Sequence, residues 1–114
     1  MPVSSGPVTG QWGGQHIGMT ATPVTVSFDF DCAAGRIDSP LVPGPDGRFN
    51  APGVYFPGHG GPERVDEIPR AIPAVYAGAF AGDRLNLSID LNLGERIGPF
   101  DLRRGAEPQV FRCL

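Results

Sequence analysis

Leu85-Asn86-Leu87-Ser88-Ile89-Asp90-Leu91-Asn92-Leu93 alternates apolar and polar residues without a break. Successive side chains of a β-strand point to opposite faces, so this segment presents one dry face and one wet face. An α-helix would scatter the same leucines around its circumference. Val24-Thr25-Val26-Ser27-Phe28-Asp29-Phe30-Asp31 repeats the pattern, and Cys32 continues its apolar face. Two such segments predict an antiparallel sheet that covers a core on one side only.

Weaker strand signals fill the rest of the chain. Gln15 to Ala21 puts Ile17, Met19 and Ala21 on one face, and a short first strand lies around Trp12. Further strands are expected over Arg36–Leu41, Arg48–Phe56, Ala74–Ala81, Arg96–Arg103 and Gln109–Leu114. Pro52-Gly53 suggests a bulge or bend, and Pro99 implies an edge or bulge, because proline cannot donate to a ladder. Turns are read at Ala34-Gly35, Asp46-Gly47, Gly82-Asp83, Gly94-Glu95 and Arg104-Gly105. These signals predict an all-β fold, a small antiparallel up-and-down barrel of about eight strands, with a β-sandwich as the alternative. The connection from Pro57 to Pro73 is long, Gly/Pro-rich and then charged, with room for one short helical turn. Residues 1–9 read as a flexible arm and residues 10–114 as the single barrel domain.

The 17 glycines and 13 prolines in 114 residues argue for many turns and against long helices. The net charge of −3 supplies no basic surface for nucleic acid. No stretch approaches the ~20 apolar residues of a transmembrane helix. All nine basic residues are arginine, as expected of a GC-rich bacterial coding sequence.

Cys32 and Cys113 are the two cysteines. As a cystine they would staple the last segment and stabilise the fold by about 4–5 kcal/mol in the chain-entropy model. The alternative is a pair of buried thiols. A cystine persists outside the reducing cytosol, so the pairing carries an expectation of a periplasmic or secreted protein. A leader, with or without a lipid anchor, would then have been removed ahead of Met1.

Gly10-Gln11-Trp12 near the start of a small barrel resembles the lipocalin and avidin-like calycins, and the resemblance implies a tryptophan packed across the barrel's base. Trp12-Gly13-Gly14 with His16-Ile17, Phe30-Asp31-Cys32-Ala33, Gly60-Gly61-Pro62 with Arg64, Tyr76-Ala77-Gly78 and Arg112-Cys113-Leu114 together resemble a group of small bacterial secreted or lipoprotein-type β-barrel proteins. That second resemblance names no activity. It implies that the cysteine pair, His16 and the Gly-rich loops belong to the fold's own design.

Candidate binding residues are Trp12, His16, Tyr55, His59, Arg64 and Tyr76. The loop Pro57-Gly58-His59-Gly60-Gly61-Pro62-Glu63-Arg64 carries glycines that suit an anion-binding nest or simply a tight corner. His16 and His59 lack metal-ligand spacing, so neither a metal nor another cofactor is expected. No nucleophile elbow, zinc-protease motif or phosphate loop is present. Ser27 and Ser88 fall on the wet faces of strands, and Asp29, Asp31 and Asp90 read there as solubility residues. The expected function is a non-enzymatic binding module for a small apolar ligand or a partner. The alternative is an enzyme inhibitor or protein-interaction module using the arm. A small enzyme would need His16, His59 and Arg64 to converge.

Overall fold

The computed structural model describes residues 7–57, 71–92 and 94–111. They form a closed antiparallel barrel of eight strands: β1 (Gly10–Gly14), β2 (Ile17–Ala21), β3 (Val26–Phe30), β4 (Ala33–Ile37), β5 (Arg48–Pro57), β6 (Ile72–Ala81), β7 (Arg84–Leu91) and β8 (Arg96–Arg104). Each strand pairs with the next, and β8 closes on β1 through Trp12↔Arg104 and Gly13↔Arg103. The architecture is the up-and-down barrel the alternation predicts, not a sandwich. Among the described residues no helix is long and apolar enough to cross a membrane.

The alternation maps directly onto the barrel wall. On β7, Leu85, Leu87, Ile89 and Leu91 are buried, while Arg84 and Asn86 are exposed. Val26, Phe28 and Phe30 do the same on β3, with Ser27 and Asp29 outside. Aromatic rings then meet across the lumen from strands that are not neighbours in the sheet. Phe28 (β3) stacks on Tyr76 (β6) with centroids 4.6 Å apart and planes 9° apart. Phe30 (β3) meets Phe100 (β8) at 5.6 Å, and Trp12 (β1) meets the edge of Phe80 (β6) at 5.2 Å. Pairs of this kind add about 0.5–1.5 kcal/mol beyond the area they bury. Tyr76 is 0% exposed, so its ring borders no space that would hold even a water molecule.

Two inward glycines make room for that ring. A Cβ on Gly35 would overlap Tyr76 Oη and sit 3.1 Å from Phe30 Cε2, and one on Gly53 would come within 2.8 Å of Tyr76 Cε1. The Tyr76 hydroxyl donates to the Val54 carbonyl at 2.6 Å, so its one polar atom is satisfied within the wall. Burial pushes the phenol well above its ordinary range.

The structure departs from four local expectations. Strand β4 is Ala33–Ile37, not Arg36–Leu41, and Ala34-Gly35 lies inside it instead of forming a turn. The Phe30↔Ala33 pair leaves Asp31-Cys32 as the two-residue turn, because Gly35 serves the ring and not the chain reversal. The ladder between β5 and β6 runs from Arg48↔Ala79 to Tyr55↔Ile72 without a shift, so Pro52-Gly53 makes no bulge. The β7–β8 register does shift between Leu87↔Phe100 and Ile89↔Ile97, which places the expected bulge at Gly98-Pro99. Beyond β8, the described residues form no ninth strand, only an isolated parallel bridge between Gln15 and Gln109.

Candidate functional site

The topology divides the candidate residues between the two ends of the barrel. The β1–β2 and β3–β4 turns share one end with the C-terminus of β5 and the N-terminus of β6. Trp12 points into the lumen toward the opposite end. There the Arg104 guanidinium lies 4.6 Å over its ring, and its Nε1 donates to the Thr9 carbonyl at 3.4 Å. The Arg104 side chain also donates to Thr9 O at 3.3 Å and pairs with Asp83 at 3.3 Å. Val8, in the described part of the arm, donates its amide to Leu41 O at 2.8 Å and packs against the core. Trp12 is thus a plug enclosed by protein, and Tyr76 is a core residue. Neither offers a face to a ligand.

His16 occupies the other end, and the structure brings partners to it that the sequence reading did not single out. The closing pair Gly14↔Ile17 leaves Gln15-His16 as a two-residue turn, with His16 at φ 68°. Cys32 holds the same position in the neighbouring turn at φ 55°. Glycine is the usual occupant of such left-handed positions, and each non-glycine residue costs about 1–2 kcal/mol there. Strained residues of this kind collect where the surrounding structure dictates them. Here the two turns interlock: His16 Nδ1 pairs with Asp31 Oδ2, and Asp31 Oδ1 accepts the Phe111 amide at 2.8 Å. Asp31 therefore lies in the turn and ties elements together, in place of the solvated wall position expected of it. The Phe111 amide first, and the His16 ring after it, hold the Asp31 carboxyl below the usual carboxylate range.

Phe111 arrives on a strap, residues 105–111, that leaves β8 and doubles back parallel to β1 over the outside of the barrel. Its backbone bonds mark the route: Gly105 N to Gln11 O at 2.6 Å, Gln109 N to Gly14 O at 3.0 Å, His16 N to Gln109 O at 2.8 Å and Cys32 N to Phe111 O at 3.1 Å. The bed is the cross-strand pair Gly13↔Gly18. A Cβ on Gly18 would come 2.6 Å from Pro108 Cβ, and one on Gly13 would stand 2.7 Å from the Pro108 nitrogen. Gly13→Ala is accordingly expected to lift the strap at a cost of about 1–3 kcal/mol. Amide exchange at Gln109 should speed up in this variant while Leu87 and Ile89 stay protected; unchanged exchange at Gln109 would contradict the close packing.

The end face thus combines the His16–Asp31 pair with the Phe111 ring, whose centroid lies 6.0 Å from that of His16 and which is 67% exposed. Half-buried Tyr55 packs on Phe30 with centroids 5.5 Å apart, and burial raises its phenol pKa, helped by the Glu95 carboxylate. His59, Arg64 and Cys113 lie outside the described residues. Among the described residues no group of three or more His, Cys, Asp or Glu side chains is placed to hold a metal ion. A carboxylate on Nδ1 orients an imidazole as an acid–base dyad does. Ser27 and Ser88, however, stand on β3 and β7, on the barrel wall. Asp31 and Phe111 are the residues the sequence reading passed over. Asp31 carries no local signal that separates it from the alternation it continues, and Phe111 lies in a stretch without periodicity. No family model, curated protein or solved structure matches this chain.

Proposed function

We propose that this chain is a non-enzymatic binding module of an oxidising compartment, periplasmic or extracellular, that meets a protein partner at the barrel end carrying His16 and Phe111. The observation that carries this reading is the exposed Phe111 ring, held in place by main-chain bonds and by Asp31. A large exposed aromatic on a tethered backbone, beside the polar His16 and Asp31 side chains, is the kind of anchor that dominates protein interfaces. The rings that fill the lumen favour a partner on the end face over a small apolar ligand inside.

The compartment follows from the Cys32–Cys113 cystine, which belongs to the same proposal. Its support is that the Cys32 amide bonds the carbonyl of Phe111, two residues before Cys113, and that no described cysteine is free. Alkylation of the denatured, unreduced protein should find no thiol, and reduction should expose two. Thiols found without reduction would remove the basis for the compartment.

A benzophenone amino acid at position 111 tests the face itself in the producing cells. The expected result is a cross-link to one protein from position 111 and none from position 86 on the β7 outer wall. The purified pair should then lose at least roughly tenfold in affinity on Phe111→Ala, as removal of an interface anchor does. Equal cross-linking from both positions would defeat the proposal.

A further inference from the structure

We propose that the strap is a latch that assembles the end face, closed while the Asp31 carboxylate is ionised and opened when that carboxylate is protonated. Both carboxylate oxygens are committed, one to each element they join. Oδ1 accepts the Phe111 amide of the strap, and Oδ2 pairs with His16 of the β1–β2 turn. An ionised carboxylate accepts at both oxygens at once; the neutral acid carries a hydrogen on one and accepts more weakly at the other. Among the described residues, the groups bonded to the Asp31 carboxylate are the His16 imidazole from the β1–β2 turn and the Phe111 amide from the strap. Opening therefore begins at Phe111. The bonds of Gln109 to Gly14 and His16, and of the Cys32 amide to the Phe111 carbonyl, join main-chain atoms, which do not titrate, and these loosen second.

The direction of the pH effect follows from the same geometry. Contacts that favour the ionised form hold the Asp31 carboxyl below its ordinary value. The strap's contribution is then complete above about pH 4 and is lost as the pH falls through Asp31's own lower value. The latch as such is independent of the partner reading. Only its consequence, removal of Phe111 from a binding face, rests on that reading.

The experiment is amide exchange on the full chain followed by NMR from pH 7 to pH 2.5, with protection corrected for intrinsic rates. Protection at Phe111 and then Gln109 is expected to fall roughly tenfold or more, the loss of one charged hydrogen bond, while Leu87 and Ile89 remain protected. Asp31→Asn should show reduced protection at Phe111 already at pH 7 and no further fall in acid. Strap protection that stays constant to pH 2.5, or an Asp31→Asn variant that behaves as the parent, would overturn the latch. So would opening seen only after a phosphine reductant is added, which would assign the hold to the cystine. Acid opening at Phe111, with cross-linking from position 111 unchanged in Asp31→Asn, would uphold the latch and defeat the partner-face reading.

Discussion

Replacing Trp12 with alanine is expected to destabilise the barrel by about 3–5 kcal/mol, the range for removing a fully buried large aromatic. The indole contributes more than its own area. It meets Phe80 edge-on at 5.2 Å, supports the Arg104 guanidinium at 4.6 Å and lies beside the short β1–β8 seam, where the pairs are Trp12↔Arg104 and Gly13↔Arg103. Truncation would leave a cavity at that seam and free Arg104 from its stacking surface. For a domain of this size the loss corresponds to a fall in Tm of about 12–20 °C, read by far-UV circular dichroism. Trp12→Phe, which keeps a ring against Phe80, should recover part of it. A fall of only a few degrees for the alanine variant would mean that Trp12 is not the plug described.

Gly35→Ala is the second substitution of large effect, at about 2–4 kcal/mol, from overpacking together with a strained buried hydrogen bond. The added methyl would overlap Tyr76 Oη and press on Phe30. The ring cannot retreat, because Phe28 is stacked on it at 4.6 Å and Gly53 approaches it on another side. The double variant Gly35→Ala with Tyr76→Phe gives the mechanism a sharp test. Alone, Tyr76→Phe removes the donor to the Val54 carbonyl and costs about 1–3 kcal/mol. Combined, it also removes the atom the new methyl strikes, so the two losses should sum to more than the double variant shows. Urea unfolding of all four proteins closes the cycle. Strict additivity would place the cost of Gly35→Ala elsewhere than in the collision with the phenol.

The candidate site was less legible than the wall that carries it. His16 and Tyr55 do face the same end, yet Trp12 and Tyr76, grouped with them as aromatic candidates, are structural. A buried aromatic and a binding aromatic have the same composition; what separates them is whether the rest of the chain covers the ring. Asp31 was misread because it continues a flawless alternation. The strand stops one residue earlier, and a single residue's difference converts a wall position into a turn position. Phe111 sits among residues with no periodicity, so nothing local assigns it a place. Its position comes from a bed of two glycines almost a chain length away.

Sequence alone determined the strongly alternating strands of the wall. Period-two alternation over Val24–Asp31 and Leu85–Leu93 leaves a strand with one dry face as the only economical arrangement, and abundant turn residues make hairpins the natural connections. These are local effects, governed by neighbours a few bonds apart. Tertiary structure decided the rest: that Gly35 and Gly53 make space for Tyr76 and do not reverse the chain, that Gly13 and Gly18 seat the strap, and that Asp31 joins His16 to Phe111. Each of these depends on atoms far apart in sequence meeting at van der Waals or hydrogen-bond distance, a condition fixed only when the sheet closes on itself.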